Sequence, residues 1–439
     1  MKRRLLGTLA VLASAAAMLQ ASARAAEPAP APPAPAPPAP APPAPAALPA
    51  SPPGWDALVD SLRSLPARML AKLPPHMQGD PQVQQEVARL ALESLASQSL
   101  DAIGGDADHP EFLPTIGYLL NVGQPNADTI YRSARIDPQG TYRLRGRRGS
   151  LNLAVIGQVV PRGAETGAGR AHLDLNALHY DRQGRFDVLV SAVKPDGYTG
   201  DWWELRPAAN RLMLRMVASD WAKEVAPTLS LERTDRPAPR SRRPAADLAA
   251  RLHALPRMVD MMALMFVDHV EQLRREGYIN AFKVFDITSA GGLAGQFYYE
   301  GAFELADDEA LIVESDVPKT CGYRSLILIN DLYETVDWYN NHSSLNAAQA
   351  PADADGKLRI VISARDPGVP NWLDTAGHKR GAMQGRWTDC DSQPIPHVTK
   401  VPLAEVRQHL PQGTATVTPQ QREAIIRARR AAQMQRPFW

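Results

Sequence analysis

The hydrophobic residues of this chain change their spacing repeatedly, and that change limits the fold more than any other feature. In "WDALVDSLRSLPARMLAKL" and "DPQVQQEVARLALESLASQSLDAIGG" apolar side chains fall three and four apart, the period of amphipathic helices. Asp80 is placed to cap the second, with Pro81 in its first turn and Gly104 at its end. After Asn126 the period drops to two in "TYRLRG", "LNLAVIGQVV", "RFDVLVSAV", "NRLMLRMVASDW" and "TLSLERT", short strands divided by Gly, Pro, Asn and Asp. Helical spacing returns in "AADLAARLHALPRMVDMMALMFVDHVEQLRREG", where Pro256 should kink or divide the helix and Gly277 ends it. Its methionines read as core filling between domains. Period two resumes in "GQFYYEGAFEL", "EALIVES", "YRSLILIN" and "KLRIVISA", and a last amphipathic helix starts at Thr418 with Pro419 in its first turn. Blocks of strands separated by blocks of helix predict an α+β chain, mainly β, with two antiparallel β-sandwich or jelly-roll-like domains and packed helices.

The first 25 residues carry a cationic head, "MKRR", and an apolar stretch too short to span a bilayer, ending in Ala23-Arg24-Ala25. That is the form of an export signal, and it points to a periplasmic or secreted protein. Residues 26–53 are Pro- and Ala-rich and have nothing to bury. They read as a polyproline II spacer, about 80 Å long if fully extended at ~3.1 Å per residue. The remaining divisions are a helical segment over 54–125, a first sandwich over 126–236, a hinge and linker helices over 237–280, a second sandwich over 281–410, and a helix and tail over 411–439. Without the signal, 44 basic side chains face 47 acidic ones. A nucleic-acid partner needs a clustered basic surplus, and only Arg143 to Arg148, "RLRGRR", approaches one, so no nucleic acid is expected. No transmembrane span is expected either. Self-association into a homo-oligomer stays open.

Several familiar chemistries are missing. There is no P-loop, no G-x-S-x-G elbow and no G-x-G-x-x-G after a strand. "SAGGLAG", Ser289 to Gly295, precedes a strand and reads as a flexible connection. No cofactor is expected. His342, Asp374 and His378 offer mixed nitrogen and oxygen ligands but lack the spacing of a zinc site, so no metal is expected. Cys321 and Cys390 are the two cysteines; in an oxidising compartment one disulfide is their simplest fate, and two buried thiols the alternative.

The candidate site residues concentrate in "DPGVPNWLDTAGHKRGAMQGRW", Asp366 to Trp387. Asp-Pro-Gly is turn chemistry, and Gly377 and Gly381 allow positive φ around "HKR", so the segment reads as a compact loop pinned by Trp372 and Leu373. Asp374 and His378 lie four apart, close enough for the carboxylate to orient the imidazole as a general base or acid; the bland alternative is a capped turn beside a satisfied histidine. Arg386, Asn341 and Tyr339 would stabilise developing negative charge, and His342 would act as an acid. Trp372, Trp387, Asn371, Asn126 and Asp128 are the candidate substrate contacts. Asn126-Ala127-Asp128 also has the form of an Asx turn, and if functional it should face the cleft between the sandwiches. "DWWELRP", Asp201 to Pro207, reads as a sandwich edge, with a sugar-stacking platform on Trp202 and Trp203 as the alternative.

"HPEFLPTIGYLLNVGQPNADTIYRSARIDPQGTYRLRG", "DEALIVESDVPKTCGYRSLILINDLYETVDWYNNHSSLNAAQA" and the Asp366 to Trp387 segment together resemble the bacterial domain-of-unknown-function family numbered twelve-fourteen, often paired with the one numbered twelve-fifty-four. The resemblance covers most of the chain after the spacer and is most specific at Asn371 to His378 and Arg386-Trp387. It implies paired β-sandwich or jelly-roll domains with helices alongside, and no settled reaction. Tyr323-Arg324 departs from the aromatic pair the family carries there. The leading expectation is an exported catabolic enzyme that hydrolyses or eliminates a small or amphipathic organic substrate by acid-base chemistry. The alternatives are a non-catalytic periplasmic binding or assembly protein, or a carbohydrate-binding module.

Overall fold

In the computed structural model residues 49–161, 164, 171–285, 293 and 295–437 are described. The export signal, the spacer up to residue 48 and most of the Ser289–Gly295 connection lie outside the described residues. Helices α1 (Trp55–Leu70) and α3 (Pro81–Gly104) form where the helical period predicts them, with the single turn α2 (Pro75–Gln78) between them. The Asp80 carboxylate caps α3, accepting from the Gln82 and Val83 amides at 2.7 and 3.4 Å. The apolar stripes of α1 and α3 close on α4 (Ala245–Leu264), burying Leu65, Met69, Val87 and Leu90 against Leu255 and Val259. Arg68 of α1 clamps Asp260 of α4 with two bonds of 2.6 and 2.7 Å. The N-terminal and linker helices therefore build one layer.

Eight strands follow α3 up to the hinge: β1 (Thr129–Arg135), β2 (Tyr142–Arg147), β3 (Leu153–Val159), β4 (His172–Asp174), β5 (Arg185–Ser191), β6 (Asp201–Glu204), β7 (Arg211–Val217) and β8 (Thr228–Arg233). They form two sheets, in the orders β1-β7-β3-β4 and β6-β5-β2-β8. Ile156, Leu212 and Leu214 of one sheet meet Tyr142, Val188 and Trp203 of the other across the core. The "DWWE" run is the sandwich edge β6, joined in parallel to β5. Trp203 is fully buried, so it offers no face to a sugar, and the Trp202 indole N–H donates to the Ser191 hydroxyl at 3.1 Å.

After α4 and α5 (His269–Arg275) come β9 (Lys283–Phe285), β10 (Gln296–Glu304), β11 (Glu309–Asp316), β12 (Cys321–Ile329), β13 (Ser344–Asn346), β14 (Lys357–Ser363), β15 (Trp372–Asp374), β16 (Arg380–Cys390), β17 (His397–Pro402) and helix α6 (Pro419–Gln435). The sheets β13-β12-β16-β10-β9 and β15-β14-β11-β17 face each other. Tyr299, Phe303, Leu326, Met383 and Trp387 pack on Leu311, Val313, Ile360 and Leu373. The sheets are antiparallel apart from the β5–β6 and β14–β15 pairs, and the α+β reading with sandwich-like sheets holds. The last helix starts at Thr418 as expected, and Thr418 caps it with a reciprocal box to Gln421.

Two local expectations fail for physical reasons. The break in the linker helix falls between Leu264 and His269, and α4 runs through Pro256, because Leu255 and Val259 on either side are buried and their packing offsets the lost backbone bond. The second half of Asp366–Trp387 is no loop: from Arg380 it is β16, the longest strand and an interior one. Gly377 has φ +86, as expected, but Gly381 sits in extended strand, where a Cβ would meet the Ile329 carbonyl oxygen at 2.2 Å and the Phe303 ring at 2.7 Å. Close approach, and not backbone handedness, requires that glycine.

Cys321 and Cys390 face each other across β12 and β16 and form a disulfide, leaving no free cysteine. Replacing both by Ser should lower stability by about 2–4 kcal/mol through the freed chain entropy of the unfolded state. Heat unfolding of the double variant measures this, and thiol titration of the parent should register nothing until reductant is added.

Candidate functional site

The expected dyad does not form a hydrogen bond. The Asp374 carboxylate accepts from the Ala376 amide at 2.8 Å, and the His378 amide donates to the Thr375 carbonyl at 3.0 Å. That is the capped turn, with burial raising the Asp374 pKa. His342 is buried, and its Nδ1 donates to the Trp372 carbonyl. Burial, with the Arg429 and Arg422 charges nearby, holds that imidazole well below its usual range and therefore neutral. Trp372 donates to Ser363 and lies 5.0 Å under the Arg422 guanidinium, while Trp387 is core and donates to the Pro394 carbonyl at 3.0 Å. Asn371 spans the Pro351 and Arg359 carbonyls at 2.9 and 3.1 Å. Asn341 is half-buried. These residues of the signature hold the second sandwich and α6 together.

Asn126, Asp128 and Arg386 do come together, in the seam between the sandwiches. Strand alternation turns the Tyr323, Gln384 and Arg386 side chains away from the core that Leu326, Met383 and Trp387 occupy. This outer face is covered by Val270 and Leu273 of α5 at one end and by Leu153, Val155 and Val217 of the first sandwich at the other. Polar groups sealed there must satisfy one another. Asp128, 1% exposed, accepts from Tyr323 Oη at 2.5 Å, Trp221 Nε1 at 2.7 Å and Asn346 Nδ2 at 2.8 Å. Burial raises its pKa against those three donors. Asn126 donates to Tyr323 Oη at 2.8 Å while its own carbonyl group closes the Asx turn to the Asp128 amide at 3.4 Å. Arg386 donates to Gln384 Oε1 at 2.7 Å and stands 5.3 Å over the Tyr298 ring. Burial opposes its charge, but the phenols of Tyr298, Tyr323 and Tyr131 and the Asp128 carboxylate hold its pKa raised. Beyond Gln384, the same face carries Tyr333, which donates to Glu300 at 3.2 Å, and His269, 2.8 Å from that carboxylate. Arg324, the departure from the family pattern, is buried and donates to the Ala350 carbonyl at 2.8 Å.

A cavity of about 230 Å³ opens beside this seam. Its walls are Leu100 of α3, Ile116 and Tyr118 of the following loop, Ile130, Tyr131 and Arg132 of β1, Trp338 and Tyr339 of the β12–β13 loop, and Gln433 and Arg436 at the end of α6. Tyr118 and Tyr339 stack with ring centroids 3.8 Å apart, and Trp338 meets Tyr118 edge-on at 5.4 Å. Tyr118 Oη accepts from Asn340 at 3.1 Å, and burial together with Asp337 pushes its pKa up to about 12, so it stays a neutral phenol. Arg436 donates to the Asp128 and Ala127 main-chain carbonyls at 2.6 and 3.3 Å and forms no ion pair with a carboxylate among the described residues. Flat rings, an aliphatic floor and two arginines, Arg132 and Arg436, share this hollow. Tyr339 is the one expected catalytic residue that lines it.

The sequence reading missed Tyr118, Trp338 and Arg436, although "DWYNN" and "NADTIY" each carry a lining residue. Arg436 had no signal, because α6 returns across 308 positions to reach Asp128. Among the described residues no group of three or more His, Cys, Asp or Glu side chains is placed to hold a metal ion. No helix among them is long and apolar enough to cross a membrane.

Residues 304–386, from the end of β10 into β16, match the family described as a protein of unknown function, DUF1214. The resemblance to family twelve-fourteen therefore holds over residues 304–386, a part of the second sandwich, and not over most of the chain. The chain is similar to an uncharacterized protein of known crystal structure from Burkholderia cenocepacia, at 27% identity and a TM-score of 0.73, over 80% of this chain and 97% of that one. It also matches the VPA0106 protein from Vibrio parahaemolyticus at 11% identity and a TM-score of 0.41, over 72% of this chain and 99% of that one. No curated protein matches it.

Proposed function

We propose that this chain, whose second sandwich carries the DUF1214 segment, is an exported periplasmic or secreted binding protein for small, flat, amphipathic organic acids. The cavity beside the seam supports this reading above all: stacked Tyr118 and Tyr339 supply a π-face, Trp338 an edge, and Arg436 a guanidinium with no ion pair among the described residues. Apolar walls with few placed polar groups are what small-molecule sites share. The cationic head and apolar run at the start of the sequence support export. Binding is favoured over acid-base turnover because His378 and Asp374 form a turn outside this cavity, and His342 has its Nδ1 engaged by main chain.

Calorimetric titration with 2-naphthoate tests the proposal. Saturable binding at one site is expected, and Tyr339→Ala and Arg436→Met should each weaken it at least tenfold, about 1.4 kcal/mol, with Tyr339→Phe restoring most of the loss. Equal affinity in parent and Tyr339→Ala, or no heat across a panel of aryl carboxylates, would remove the cavity from function.

A further inference from the structure

A second hollow lies on the helical layer, away from the seam. It is a trough of about 720 Å³ between α1, α3, α4 and the 237–244 hinge. Leu58, Leu62, Leu95, Leu252 and Leu255 form its apolar floor. Its mouth keeps large apolar side chains in solvent: Trp55 is 50% exposed, Leu248 51% and Ile103 75%. An unpartnered greasy surface of this kind marks a binding site more often than it marks chance.

One end of the trough is cationic. Arg240, Arg242, Arg243 and Arg251 line it. Arg240 and Arg243 share a single carboxylate, Asp106, each at 3.1 Å, and Arg251 pairs with Asp247 at 3.2 Å. Arg243 and Arg251 also donate to carbonyls at the C-terminus of α3, those of Ile103, Ala102 and Gly105, which fixes them without consuming their charge. Arg242 is exposed and pairs with none of the described residues. Four guanidiniums against two carboxylates leave a cationic surplus beside an aliphatic slot.

We infer that this trough binds a free single-chain amphiphile with an anionic head, such as a medium- or long-chain carboxylate, its tail along the leucine floor and its head at Arg242. The inference stands apart from the aromatic cavity, since no lining residue is shared. Titration of the full mature protein with dodecanoate below its micelle concentration should show one saturable site. Affinity should rise about fourfold per methylene from octanoate to dodecanoate, as burial of each CH₂ predicts, and dodecyltrimethylammonium should bind at least tenfold more weakly. Arg242→Glu, an exposed change that should leave melting unaltered, is expected to weaken dodecanoate about tenfold and to improve the cationic analogue; Leu248→Asp should weaken both. Three results would each overturn the inference: dodecanoate affinity indifferent to chain length, affinity unchanged in Arg242→Glu, or dimerisation through the trough detected by sedimentation. So would Arg242-dependent binding to phosphatidylglycerol vesicles without binding of monomeric dodecanoate, which would make the occupant a membrane surface.

Discussion

Asp128→Ala is expected to lower the unfolding free energy by about 4–6 kcal/mol, one of the two largest stability effects anticipated for this chain. The carboxylate accepts from a phenol, an indole and an amide contributed by β12, the turn after β7 and β13. Removing it strands three donors in a space sealed from water, at about 1–3 kcal/mol for each donor left unsatisfied. The three belong to both sandwiches, so the loss should appear as weakened attachment of one sandwich to the other as well as a lower melting temperature. Asp128→Asn should cost less, because its carbonyl oxygen still accepts from some of the three. Urea unfolding of Asp128→Ala, Tyr323→Phe and the double variant measures the coupling: the double variant should fall well short of the sum of the singles, since both remove the same bond. A loss under about 1 kcal/mol for Asp128→Ala would mean that the seam is held by Leu153, Val155, Val217 and Tyr323 packing alone.

Strands dense in apolar residues between turn signals were legible: β2, β5, β11 and β14 lie close to where the sequence puts them, although β11 and β14 bury apolar side chains on both faces. Two strands at the seam, β1 and β16, were not. β1, "TIYRSAR", buries Ser133 and Arg132 as well as Ala134, so its sequence has no clean polar side. β16 fails the alternation test twice over. Its outer face buries Gln384, Arg386 and Thr388, and its inner face holds Gly385, where a Cβ would meet the Tyr299 ring at 2.0 Å. A strand buried on both faces, with polar side chains on one and glycines on the other, looks irregular when only hydropathy is read. The same cause concealed the candidate site. The density of polar and ring side chains in Asp366–Trp387 suggested catalysis, yet most of them satisfy buried main chain. The aromatic cavity draws on Tyr118, Tyr339 and Arg436, and Asn340 reaches Tyr118 across 222 positions. No local pattern encodes such a meeting. The Asx turn expected at Asn126-Ala127-Asp128 does form, and the side chains of Asn126 and Asp128, expected to face the cleft between the sandwiches if functional, bond to Tyr323 and Asn346.

The stability of this protein should also fall as pH rises from about 4.5 to 8, by about 3–5 kcal/mol attributable to one side chain, Glu334. Its pKa is raised from the ordinary carboxylate range to about 8, by burial first and then by Glu93 beside it. The Glu334 Oε2 accepts from Asn330 at 2.8 Å, but Oε1 is buried with no partner among the described residues. Glu93 is itself engaged by Arg89 at 2.7 Å and the Asn121 amide at 2.8 Å, so its charge remains beside Glu334 and is not free to move away. The sign follows from proton counting. The folded state binds the proton more tightly than the unfolded chain, so the contribution is complete below the unfolded value and lost as pH climbs through about 8. Glu334→Gln keeps the neutral shape and removes the titration. Its stability relative to the parent should therefore be near zero at pH 4.5 and should grow steadily towards pH 8, where the variant is the more stable protein. Other groups titrate in the same range, among them His172, which burial and the Arg215 and Arg206 charges lower to about 4; its contribution has the opposite sign and cancels in the difference between variant and parent. Chemical unfolding of both proteins at half-unit pH steps reads the slope directly. Parallel curves would mean that Glu334 ionises in the fold at its ordinary pH, with Arg89 and Asn330 providing enough compensation to hold two carboxylates together between α3 and the β12–β13 loop.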